Sequence, residues 1–155
     1  MSSDKLISAL ERLAGRKGVL VRYQDGFRRQ RSASPDSLVA ILRELGAPLE
    51  SVADAGHALF ETDLARWRTL AAPVCVTWDG DGIRLALRLP EAGAAKTVEW
   101  SLQLETGEER SGQLAIADLP NTRRVEIGRE RFQAKTLRLP QALPAGYHQL
   151  RLKAG

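Results

Sequence analysis

Val98-Glu99-Trp100-Ser101-Leu102-Gln103-Leu104-Glu105 alternates apolar and polar residues without a break. Val98, Trp100, Leu102 and Leu104 fall on one face, and Glu99, Ser101, Gln103 and Glu105 on the other. That is the period of a strand with one buried and one wet face. The same pattern extends in both directions. Upstream, Ile83, Leu85, Leu87 and Leu89 share a face opposite Arg84 and Arg88, and Val74, Val76 and Trp78 share another. Downstream come Leu114 with Ile116, Val125 with Ile127, Leu137 with Leu139, and Leu150 with Leu152. Turn formers separate these runs: Asp79-Gly80-Asp81-Gly82, Pro90-Glu91-Ala92-Gly93, Thr106-Gly107, Pro120-Asn121 and Pro144-Ala145-Gly146. About seven short strands with no helix between them predict an antiparallel, immunoglobulin-like β-sandwich over 73–155.

Before Pro73 the period changes to that of a helix. Leu6, Leu10 and Leu13 recur at i, i+4, i+7, predicting a helix over about 4–14 that stops at Gly15 and Gly18. Two short strands around Asp25-Gly26 read as a hairpin. Ser34 caps the next helix, Pro35 suits its first position, and Asp36 complements its dipole. Leu38, Ile41, Leu42 and Leu45 form its expected buried stripe, and Gly46 and Pro48 end it. A third helix starts near Ser51-Val52-Ala53-Asp54 and runs to about Leu70, with a break near Thr62-Asp63 as the alternative. Phe60, Leu64 and Trp67 would anchor it. The expected class is α+β: a helical subdomain with a β-hairpin, 1–72, followed by the sandwich, 73–155.

Composition narrows the function. The chain has 155 residues, one cysteine and two histidines. That leaves no internal disulfide, no cysteine-rich zinc site and little for any metal. Net charge is +4, and each half is +2, so no basic tail stands out. No apolar run is long enough for a membrane span or a secretory signal, and cytoplasm is the expected compartment. No phosphate-binding loop or dinucleotide fingerprint occurs, so no cofactor is expected. The acids fall at turns, caps and polar strand faces, so no catalytic residue is assigned.

Individual candidates carry structural expectations. Cys75, between two valines, is expected to be a buried, inert thiol. Asp79-Gly80-Asp81-Gly82 is expected to be a plain turn, not a calcium loop. His57 is expected on an exposed helix face, and His148 at the core edge with one ring nitrogen bonded. Trp78 and Trp100 share parity with aliphatic residues and are expected in the core, with a sugar platform as the alternative. Tyr147 shares parity with Gln149, Arg151 and Lys153, on the polar side of the last strand. A structural corner role is expected for it, and a carbohydrate contact is the alternative. Arg28, Arg29 and Arg31 beside Phe27 are expected to be a solvated hairpin rather than a nucleic-acid reader.

Several stretches carry a family resemblance. They are Tyr23-Gln24-Asp25-Gly26-Phe27-Arg28-Arg29, then Ser34 through Leu45-Gly46, then Trp67-Arg68-Thr69-Leu70 before Ala72-Pro73-Val74, and finally Leu143-Pro144-Ala145-Gly146-Tyr147-His148-Gln149-Leu150. In this order they resemble the N-terminal extension of bacterial 4-α-glucanotransferases of glycoside hydrolase family 77. The resemblance implies a parent enzyme that passes a glycosyl group from one α-1,4-glucan to another with retention. Its covalent Asp, acid/base Glu and stabilising Asp would lie on a downstream (β/α)₈ barrel of about 250 residues or more. The expected role for this chain is a non-catalytic module that begins at its natural Met1. It would support the barrel, the acceptor side or dimerisation. A stand-alone glucan-binding module is the alternative, and a nucleic-acid-binding domain is a weaker one.

Overall fold

The computed structural model describes residues 3–78, 82–92, 95–139 and 143–155. The chain forms two compact units, Met1–Arg66 and Trp67–Gly155.

The first unit holds α1 (Ser3–Arg16), a hairpin of β1 (Arg22–Gln24) and β2 (Gln30–Ser32), α2 (Pro35–Glu44) and most of α3 (Ala55–Arg68). Leu10, Leu13, Leu38, Leu42, Ala55 and Leu59 meet in its core, each fully buried leucine contributing about 1.5–3 kcal/mol. Gly15 does not stop α1. The stop is Gly18, with φ 76°, after which the Val19 amide returns to the Ala14 carbonyl. Ser34 caps α2 by accepting from the Ser37 amide, and Gly46, with φ 73°, ends it. The expected stripe is narrower than its spacing suggests: Leu38 and Leu42 are buried, whereas Ile41 and Leu45 are exposed. In α3, Leu64 and Trp67 are buried and Phe60 is exposed, and no break occurs at Thr62-Asp63. The hairpin loop is wider than an Asp-Gly pair implies. Asp25 Oδ1 accepts from the Phe27 and Arg29 amides, and the left-handed residue is Arg28, with φ 60°.

A reciprocal cap opens the 3₁₀ turn Val52–Asp54 that leads into α3. The Asp54 carboxylate accepts from the Glu50 amide at 3.1 Å, the Ser51 amide at 2.9 Å and the Ser51 hydroxyl at 2.9 Å. These bonds, the Glu50 amide first, hold the carboxyl below its ordinary range. The cap therefore contributes stability above an unfolded value of about 3.9 and loses it as pH falls through the lower folded value. In an NMR titration, the Ser51 amide should move with a midpoint below about 3.9, and Asp54→Asn should abolish that acid-range shift.

The second unit is a sandwich of two three-stranded antiparallel sheets. One has the order β3 (Ile83–Pro90), β7 (Glu130–Leu139), β6 (Asn121–Ile127); the other has β5 (Glu109–Ala115), β4 (Thr97–Gln103), β8 (Gln149–Ala154). Ile83, Leu87, Leu89, Leu137 and Leu139 of the first sheet pack on Val98, Leu102 and Leu104 of β4 and its continuation. Trp100 is half-buried at the margin of this core. It lies opposite Gly112, where a Cβ would come within 2.9 Å of the indole. Gly107, with φ 88°, makes the β4–β5 turn. Asp79, Gly80, Asp81 and Gly93, expected in turns, lie outside the described residues.

Two features depart from simple alternation. Strand β7 is buried on both faces. Leu137 and Leu139 face the sandwich core, while Phe132, on the opposite face, meets the Trp67 ring at 5.9 Å between centroids. Arg123, opposite Ala134 in the ladder, places its guanidinium 5.9 Å from the same indole. The second departure is Val74–Trp78. It forms no strand, and Val74, Val76 and Trp78 are 73%, 67% and 76% exposed, so the core role expected for Trp78 is corrected. Cys75 Sγ instead lies 3.7 Å from the Arg84 carbonyl on the outer edge of β3. The Cys75 contact reaches β3, while Val74, Cys75, Val76 and Trp78 all stay exposed.

Candidate functional site

The residue singled out for a carbohydrate contact sits on a built platform. Tyr147 is 91% exposed and precedes β8. Its backbone amide donates to Glu105 Oε2 at 3.1 Å. His148, next in sequence, accepts from the Glu105 amide through Nδ1 at 3.2 Å. That leaves Nε2 to carry the proton and donate to the Pro144 carbonyl at 3.0 Å. Both ring nitrogens are thus engaged, one more than expected. Gly146 completes the arrangement, because the Glu105 carboxylate occupies the space a Cβ would need. Glu105 therefore pins the loop from a position 42 residues away in sequence. The alternation of β4 put Glu105 on the polar face but gave no sign of this partner. The corner role expected for the Tyr147 hydroxyl has no hydrogen bond to support it among the described residues.

Beneath Tyr147 the sandwich opens between the edges of β3 and β8. The cleft has a volume of about 510 Å³. Leu70, Ile83, Leu85, Leu102, Leu143 and Leu150 supply its apolar wall, and Tyr147 and His148 stand at its margin. Ala71–Cys75 and Thr77 form one side. An aliphatic wall with few free polar groups suits an apolar side chain better than a sugar, whose hydroxyls need partners.

The other candidates disperse. Cys75 is exposed, which corrects the expectation of a buried thiol. His57 is exposed on α3. Arg31 pairs with Asp25 Oδ2 at 3.0 Å, and the Arg29 guanidinium lies 6.0 Å from the Phe27 ring. Two of the three clustered arginines are therefore engaged in folding their own loop. The backbone bonds from Arg29, then the Arg31 side chain, hold the Asp25 carboxyl below its ordinary range. Among the described residues no group of three or more His, Cys, Asp or Glu could hold a metal ion, and no helix is long and apolar enough to cross a membrane.

The sandwich has known relatives. A family model described as the MalQ N-terminal beta sandwich domain matches residues 70–155. The chain belongs to this family. Other similarities extend into the helical unit. A 4-alpha-glucanotransferase of Mycobacterium tuberculosis (strain ATCC 25618 / H37Rv) is 27% identical over 151 residues, which is 97% of this chain and 20% of the relative. A 4-alpha-glucanotransferase of Mycobacterium bovis gives the same figures. The crystal structure of amylomaltase from Corynebacterium glutamicum superposes with a TM-score of 0.70 at 25% identity, covering 96% of this chain and 21% of that one. The resemblance read from the sequence is thereby borne out, as is the α+β class with its β-sandwich. The chain spans 20% of the length of the curated relatives it matches.

Proposed function

We propose that this chain is the non-catalytic N-terminal module of a 4-α-glucanotransferase acting on α-1,4-glucans in the cytoplasm. The observation that carries the reading is the asymmetry of coverage: 97% of this chain aligns with only 20% of the glucanotransferases it matches. The interior of the sandwich supports it, since aliphatic side chains fill the core and no Asp or Glu is among the described residues that line the cleft. The chemistry then belongs to a (β/α)₈ domain of the same polypeptide, and this module supports it or its acceptor side. The test is the reading frame beyond Gly155. A barrel with an Asp, a Glu and a second Asp at strand ends is expected there, and a frame without one would refute the reading.

A second reading rests on Tyr147, which is 91% exposed on a pinned loop. Exposed aromatic rings offer a flat apolar surface of the kind a pyranose face covers, so Tyr147 would contact glucan. Retardation in an amylose affinity gel is the expected result. Tyr147→Ala should lose most of it, and Glu109→Ala on the exposed surface should leave it unchanged. No retardation of the unaltered chain at high amylose would refute this reading alone.

A further inference from the structure

We propose that the open β3–β8 edge of the sandwich, with the segment Val74–Trp78, is the face on which the remainder of the glucanotransferase polypeptide docks, one of its apolar side chains filling the cleft. The inference rests on the reading under Proposed function.

Three observations meet at this edge. Val74, Val76 and Trp78 expose 73%, 67% and 76% of their surface within five consecutive residues that carry no charge. No backbone hydrogen bond joins Val74–Trp78 to any other described residue. An uncharged, β-prone stretch whose backbone has no backbone partner among the described residues is a hazard if left bare. Directly beside it lies the cleft of about 510 Å³, walled by Leu70, Ile83, Leu85 and Leu150. Among its polar lining residues, the His148 ring already spends both nitrogens on Glu105 and Pro144. The site therefore offers apolar area and main-chain hydrogen bonds, which is what another stretch of protein requires and a glucan does not.

The occupant follows from length. The relatives extend far past the matched portion, since 151 aligned residues make up 20% of them. A covalently attached remainder meets this face at high effective concentration, so even a modest patch would stay covered. A second copy of the chain has no such advantage.

Cys75 reports on the face, because it lies inside Val74–Trp78 and is exposed. N-ethylmaleimide labelling of Cys75, followed by peptide mass mapping, should be run on the 155-residue chain and on the longer glucanotransferase. In the short chain, Cys75 should label as fast as an open thiol at all protein concentrations. In the longer protein it should label about tenfold more slowly or less. Val76→Asp should restore fast labelling there, while the far-UV spectrum of the short chain stays unchanged. Equal rates in the two proteins would overturn the proposal and leave the glucanotransferase reading intact. Protection that grows with concentration in the short chain would also overturn it and assign the face to a second copy. A gene with no glucanotransferase barrel would defeat the underlying reading before any label is added.

Discussion

Phe132→Ala should destabilise the sandwich unit by about 3–5 kcal/mol. Phe132 is 1% exposed and fills the outer face of β7 against the Trp67 ring. Alanine removes most of the ring's burial and leaves a cavity that the ladders to β3 and β6 prevent from collapsing. A domain of this size has a total margin of about 5–15 kcal/mol, so much of it would be lost. Urea unfolding followed by tryptophan fluorescence measures the change, since Trp67 leaves its partner. A loss under about 1 kcal/mol would mean that this face is not closed by Trp67.

Lys135→Met should cost roughly 2–4 kcal/mol. Lys135 is 9% exposed, and its Nζ donates to the Ile116 carbonyl at 2.7 Å and to the Leu119 carbonyl at 3.1 Å. Those carbonyls belong to the 3₁₀ turn between β5 and β6. Methionine keeps the apolar stem but leaves two acceptors without their ammonium. Lys96→Met, at an exposed position, should stay within about 0.5 kcal/mol of the unaltered protein. Equal denaturation midpoints for the two variants would refute the bridging role of Lys135.

These two residues mark where the sequence stops being informative. β3 and β4 were legible because one face of each meets the core and the other is polar, so alternation records the burial directly. The α2 boundaries were legible because Ser34 and Gly46 act within a few residues of themselves. β7 was legible only at Leu137 and Leu139. Phe132 is covered from outside the sheet by a helix end 65 residues earlier in the chain, and burial on two faces erases the period of two. Lys135 shares parity with Leu137 and Leu139, which placed it inward. A lysine on that parity reads as an error in the pattern until its carbonyl partners are known.

Val74, Val76 and Trp78 misled for the opposite reason. Alternation reveals which residues share a face but not whether anything covers it, and here Val74, Val76 and Trp78 on one side and Cys75 on the other are all exposed. At the candidate site, the exposure of Tyr147 followed from its parity with Gln149 and Arg151. The Glu105 and His148 clamp did not, because it joins positions more than forty residues apart through backbone groups that carry no sequence signature.

One assay bears on the division of labour more directly than any substitution. The purified 155-residue chain is incubated with maltotriose, and the products are resolved by chromatography. A module without a reaction centre leaves maltotriose unchanged. The appearance of glucose together with longer malto-oligosaccharides, from this polypeptide alone, would contradict it.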